Sequence, residues 1–170
     1  MNTVFITGFM GSGKTTVGRI LSHLTGDVFV DLDEEIVRRS GMAIAQIFAM
    51  HGEEYFRQME SAILMELASK GGILALGGGA VIDAGSRKLI MKSGTVVYLR
   101  ASAATLIGRL RDGSASRPLL ASAVLDDFVP TMLRERSAVY EDAHLIIDTD
   151  SLTPRQVADL VINKMGRSIR

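Results

Sequence analysis

A chain of 170 residues, 47% of them apolar, is sized for one domain around one core. Its 19 Lys plus Arg balance 19 Asp plus Glu, so it lacks the basic excess of a general nucleic-acid binder. With no cysteine, disulfides and thiolate chemistry are excluded.

The first apolar run, "TVFI" at 3–6, reads as a buried strand. "GFMGSGKTT" at 8–16 follows it, and a helix is expected over 14–24. Gly8-x-x-x-x-Gly13-Lys14-Thr15 fits the phosphate-binding loop pattern, with a strand before it and a helix after it. Backbone N–H groups at Gly11, Ser12, Gly13, Lys14, Thr15 and Thr16 can curl around phosphate oxygens, and side chains there would block them. The helix dipole adds positive potential. Lys14 reaches the β and γ phosphates of a nucleotide, and the Thr15 hydroxyl is offered to Mg²⁺.

"VFV" at 28–30 is the next strand, running into "DLDEE". Extended backbone sends alternate side chains to opposite faces, so Asp31 and Asp33 are expected to point together, away from Leu32. One carboxylate can hold Mg²⁺ through water while the other accepts a proton from an attacking hydroxyl. The same residues can instead cap the following helix, Asp31 with Glu34 forming a capping box. A helix over 53–68 carries Arg57 and Glu60 three apart on one face. The pair is either a solvated surface feature or a device in which Glu60 fixes Arg57 to grip a substrate anion. "GILAL" at 72–76 is a strand ending in Gly77, Gly78 and Gly79. One or two glycines make a turn; three in a row point to a ligand against backbone.

A helix over 85–92, a strand over 95–99 and a helix over 103–110 come next. "RDGSASRPLLAS" at 111–122 is rich in Gly and Ser and reads as a mobile flap containing Arg117. The helix at 124–140 carries Arg134, expected on the surface, and Arg136. A strand at 144–148 and a helix at 153–165 complete the pattern, with Thr153 as N-cap, Pro154 at N1 and Gln156 closing a capping box. Strands alternating with helices imply a parallel sheet covered on both faces, with ligands at the carboxyl ends of the strands. "NKMG" at 163–166 lacks the aspartate of a guanine-reading motif, and no aspartate has a glycine three places on, which disfavours a GTPase switch. His23, His51 and His144 share no ligand spacing, and the nine methionines are read as core filler. "MNTVFITGF" lacks the basic start and apolar core of a signal peptide, and no run reaches membrane-spanning length. A cytoplasmic protein without nucleic-acid or membrane partners is expected.

The ordered set GFMGSGKT, DLD, FRQME, GGG, RPLL and RERSAVY resembles shikimate kinase and covers nearly the whole chain. The resemblance implies a three-layer α/β/α P-loop kinase fold like that of nucleoside monophosphate kinases. It has a central five-stranded parallel sheet, a mobile lid over about 110–123 and a small helical substrate-binding segment over about 32–60, in one domain spanning 1–170. It implies ATP-dependent phosphorylation of the 3-hydroxyl of shikimate, a step toward chorismate and aromatic amino acids, using Mg²⁺; a monomer is expected. Asp33 then contacts the accepting hydroxyl, and Asp31 lies with Thr15 by Mg²⁺. Arg57 and Arg136 clamp the shikimate carboxylate beside Gly77–Gly79, and Arg117 reaches the transferring phosphate. Arg109 and Arg111 both remain candidates for the adenine contact. One departure is Ala138, where the family often has proline; it is expected to loosen the local turn. "DTDSLTP" resembles the adenine-side loop only loosely. Gluconate or nucleoside monophosphate kinases are alternatives on the same fold, and a non-catalytic ATP-binding regulator is the alternative of another class.

Overall fold

The computed structural model describes residues 3–112 and 122–166. Arg117 and most of the expected lid lie outside the described residues. Five strands, β1 (Thr3–Thr7), β2 (Phe29–Asp31), β3 (Ile73–Ala75), β4 (Gly94–Arg100) and β5 (Leu145–Asp148), form one sheet in the order β2-β3-β1-β4-β5. Every pairing is parallel.

Parallel strands need crossovers, and helices supply them: α1 (Lys14–Thr25), α2 (Leu32–Ser40), α3 (Ile44–Ala68), α4 (Ala84–Ser93), α5 (Ala103–Asp112) and α6 (Ser122–Glu141), with α7 (Pro154–Met165) following the last strand. Alternation along each strand feeds two cores. Val4, Ile6, Val97 and Leu99 pack with α1 and α7 through Val17, Leu21, Val157 and Val161. Phe5, Leu74, Val96 and Tyr98 face the other way, onto Leu64 of α3, Ile90 of α4, Leu106 of α5 and Tyr140 of α6. The central strands are therefore apolar on both faces, which is why they read as unbroken hydrophobic runs.

The expected α7 start is observed. Thr153 Oγ1 accepts from Gln156 N–H at 3.3 Å, and Gln156 Oε1 accepts from Thr153 N–H at 2.9 Å, with Pro154 in the first turn. The helix expected over 53–68 is longer, beginning at Ile44. It is interrupted at Gly52, whose φ of 82° and ψ of 173° bend the chain. α2 is a separate nine-residue helix that buries only Leu32 and Ile36. No helix among the described residues is long and apolar enough to cross a membrane.

Candidate functional site

The loop after β1 folds back on itself. Ser12 N–H donates to Phe9 O at 3.1 Å, and Lys14 Nζ donates to Gly8 O at 2.9 Å and Phe9 O at 3.1 Å. Gly13 stands at the N-cap of α1 with φ 93°, a left-handed conformation that side chains resist, and it provides no side-chain cap. The first-turn amides of α1 are thus kept for an anion, where the helix dipole is positive. A cleft of about 640 Å³ opens over them, bounded by Lys14, Thr15, Asp31, Asp33, Gly78 and Arg109 among others.

Asp31 ends β2 with both carboxylate oxygens engaged. Oδ1 accepts from the N–H groups of Asp33 (3.0 Å) and Glu34 (3.4 Å), capping α2. Oδ2 accepts from Thr15 Oγ1 at 2.6 Å. The capping and phosphate-side readings of this aspartate are compatible because different oxygens serve them. The expected strand alternation is corrected: β2 stops at Asp31, and fully buried Leu32 opens α2. Asp33 reaches the cleft from the first helical turn instead.

Gly77, Gly78 and Gly79 follow β3 at the same sheet edge. A Cβ on Gly77 would lie 2.6 Å from Asp33 Oδ1 and 3.1 Å from Glu60 Oε1, and one on Gly79 would lie 2.8 Å from both Arg57 Nη atoms. Two of the three glycines therefore clear space for protein side chains. Gly78, which lines the cleft, would bring its Cβ no closer than 3.9 Å to any atom. Arg57 Nη1 donates to Glu60 Oε2 at 2.8 Å. Glu60 is 3% exposed, so the pair is not a solvated surface feature. Burial raises the Glu60 pKa, partly offset by Arg57. Burial also works against the charge on Arg57, but its bonds to Glu60 and Glu53 outweigh that and hold its pKa up. From α6, Arg136 Nη1 donates to Gly78 O at 3.4 Å and the Tyr140 hydroxyl to the same oxygen at 2.7 Å. Asp33, Arg57 and Arg136 are thereby gathered around one turn.

Arg109 bridges the opposite wall. Its Nη2 donates to Thr149 O at 3.1 Å, and its Nη1 lies 3.5 Å from the carbonyls of Gly11 and Ser12. Arg111 points elsewhere, forming an exposed pair with Asp126 at 2.7 Å. Arg109 is thus the one of the two candidates that lines the cleft. Arg134 is exposed, as expected. His144 Nδ1 accepts from Val96 N–H at 3.0 Å, a structural contact. Among the described residues, no group of three or more His, Cys, Asp or Glu residues is arranged to hold a metal. Tyr140 and Thr149 also reach the site, through Gly78 O and Arg109, without a sequence motif of their own. The Arg136-x-x-x-Tyr140 spacing, one helical face, was the available signal for Tyr140.

A five-stranded parallel sheet whose first strand runs into a glycine loop, with acidic and guanidinium groups along the same edge, defines a kinase of the P-loop class. Within that class, the chain belongs to the shikimate kinase family, whose model matches residues 10–166. It is 40% identical over 169 residues to the shikimate kinase of Nitrosospira multiformis, covering 98% of this chain and 86% of that one. It is 39% identical over 166 residues to that of Bacillus anthracis, with 98% and 99% covered. Among solved structures, it resembles the shikimate kinase from Acinetobacter baumannii in complex with shikimate. That match has a TM-score of 0.89 and 36% identity, with 97% of this chain and 93% of that one covered.

Proposed function

We propose that this chain transfers the γ-phosphoryl group of ATP to the 3-hydroxyl of shikimate, releasing ADP and shikimate 3-phosphate on the route to chorismate. The observation that carries the reading is one cleft lined by the phosphate loop, Asp33 and Gly78, with the Arg57 and Arg136 guanidinium groups gathered at the glycine turn that contains Gly78. Family membership supports the same conclusion.

In this mechanism, the loop amides and Lys14 hold the β and γ phosphates. Arg57, steadied by Glu60, and Arg136 hold the shikimate carboxylate, a planar anion suited to bidentate donors. That anchoring turns the 3-hydroxyl toward Asp33. Asp33 accepts the hydroxyl proton as the oxygen attacks the γ phosphorus, and the bond to the β-bridging oxygen breaks. Thr15 Oγ1 and Asp31 Oδ2 are hard oxygen donors 2.6 Å apart, a set that fits Mg²⁺ completed by phosphates and water. When bound, Mg²⁺ neutralises charge on the β and γ phosphates. Arg109 contacts the adenine side, and Arg117 meets the transferring phosphate from a lid over about 110–123. Residues 32–60 form the acceptor-binding segment of a single domain, working as a monomer in the cytoplasm.

The test is ADP production by the purified chain with shikimate present and absent, beside gluconate and nucleoside monophosphates. Release that depends on shikimate and on no other acceptor is expected. ADP release indifferent to shikimate refutes the proposal, and preference for another acceptor moves the chain to the alternative kinase class.

A further inference from the structure

The Gly77–Gly79 turn is held by more than its own backbone. Ala80 N–H donates to Gly77 O at 3.1 Å and Ile82 N–H to Gly79 O at 3.0 Å. The middle carbonyl, Gly78 O, draws its donors from α6: the Tyr140 hydroxyl at 2.7 Å and Arg136 Nη1 at 3.4 Å. A carbonyl oxygen has two lone pairs, and two donors four residues apart on one helical face use them both. Tyr140 is fully buried and its ring stacks on Tyr98 with centroids 5.3 Å apart, so the phenol has little freedom. Burial raises its pKa, partly offset by a hydrogen bond and charge from the Arg136 side chain, so the two donors are also in direct contact with each other.

We infer that Tyr140 is a positioning residue for the acceptor site: its hydroxyl fixes the Gly78 carbonyl, and through it both the glycine turn and the Arg136 guanidinium. The inference rests on the shikimate-binding reading above. Three successive glycines have no side chains to hold their peptide planes. A turn of the Gly78 peptide would move the neighbours that sit against Asp33 and Arg57. Without the hydroxyl, Gly78 O keeps only the longer guanidinium contact. Arg136 is then drawn onto that carbonyl and away from the substrate carboxylate.

Tyr140→Phe tests this while keeping the ring, the stack on Tyr98 and the core volume. The KM for shikimate is expected to rise about 5- to 10-fold, the scale of one ordinary hydrogen bond. The KM for ATP stays within about twofold, and the melting temperature falls by no more than a few degrees. R136A and R136A/Y140F complete a cycle. Because Tyr140 acts partly through Arg136 and partly through the glycine turn, the tyrosine change has a smaller but not vanishing effect once the arginine is gone. An unchanged shikimate KM in Y140F, a parallel rise in both KM values, or additive effects in the cycle overturns the inference. Wild-type chain that shows no shikimate-dependent ADP release removes the functional reading and this inference together. Active wild type with an indifferent Y140F removes the inference alone.

Discussion

Replacing Gly79 with alanine introduces a single methyl group where the fold has left room for a guanidinium. The new Cβ would stand 2.8 Å from Arg57 Nη1 and Nη2, while ordinary contact begins near 3.5 Å. The guanidinium therefore shifts by roughly 0.7 Å, since a flexible side chain yields more readily than backbone. Gly79 has no left-handed φ, so the backbone itself accepts alanine. The shift misaligns Arg57 against the buried Glu60 carboxylate and against the substrate. A charge-assisted hydrogen bond contributes about 1.5–3 kcal/mol, which at about 1.4 kcal/mol per tenfold corresponds to a 10- to 100-fold rise in shikimate KM. The KM for ATP, set at the other wall of the cleft, stays near wild type. A coupled ADP-release assay over a range of shikimate concentrations measures the effect, with a thermal melt to check folding. Gly78→Ala is the companion variant: its Cβ would meet no atom beyond its chain neighbours closer than 3.9 Å, so a smaller effect on Arg57 is expected there. A folded Gly79→Ala enzyme with wild-type shikimate KM refutes the claim that this glycine exists to seat Arg57.

Asp33→Asn is expected to lower turnover about 100-fold with a smaller change in shikimate KM, as loss of a positioned proton acceptor does; steady-state kinetics decide it, and near-normal turnover refutes the role. Gly18→Ala drives a Cβ into the Phe29 ring between α1 and β2. Overpacking of this kind costs about 1–3 kcal/mol, visible as a melting temperature lower by several degrees with kinetics preserved. Glu35 is held at a pKa of about 2, from an ordinary 4.5, by hydrogen bonds from Arg38 and Arg39. A lowered carboxylate pKa adds stability that is complete above pH 4.5 and lost as pH falls through about 2. Glu35→Gln should therefore flatten the fall of melting temperature over that window. The effect is on the order of 0.5 kcal/mol, because the Arg38 side of the cluster is exposed. An unaltered acid profile contradicts it.

The strands were legible to within a residue or two because the central ones are short apolar runs buried on both faces, and the partly buried edge strands β2 and β5 are still apolar up to their closing aspartates. The phosphate loop was legible because its spacing is set by backbone geometry. α2 was harder to see: "LDEEIVRRS" offers only Leu32 and Ile36 to the core, too few for a clear period. The first part of α3 was missed for a related reason. Between Ile44 and Gly52 its apolar residues include Phe48 and Met50, which remain exposed, and the bend at Gly52 breaks the phase. Within the candidate site, residue types were readable but purposes were not. Gly77 and Gly79 looked like backbone bared for a ligand, yet the atoms nearest their missing Cβ positions belong to Asp33, Glu60 and Arg57. The bond from Tyr140 to Gly78 joins residues 62 apart in sequence, and no local pattern announces it.

The order of strands in the sheet also governs how the molecule can be made. β1 lies between β3 and β4, with Val4 opposite Ile73 and Thr95. A ribosome adding about 5–20 residues per second releases this apolar strand several seconds before either neighbour exists. Until then, the nascent segment has nothing to pair with and is open to capture by chaperones or by other chains. The glycine loop that follows β1 can take its nucleotide-gripping shape only after the middle of the polypeptide has emerged.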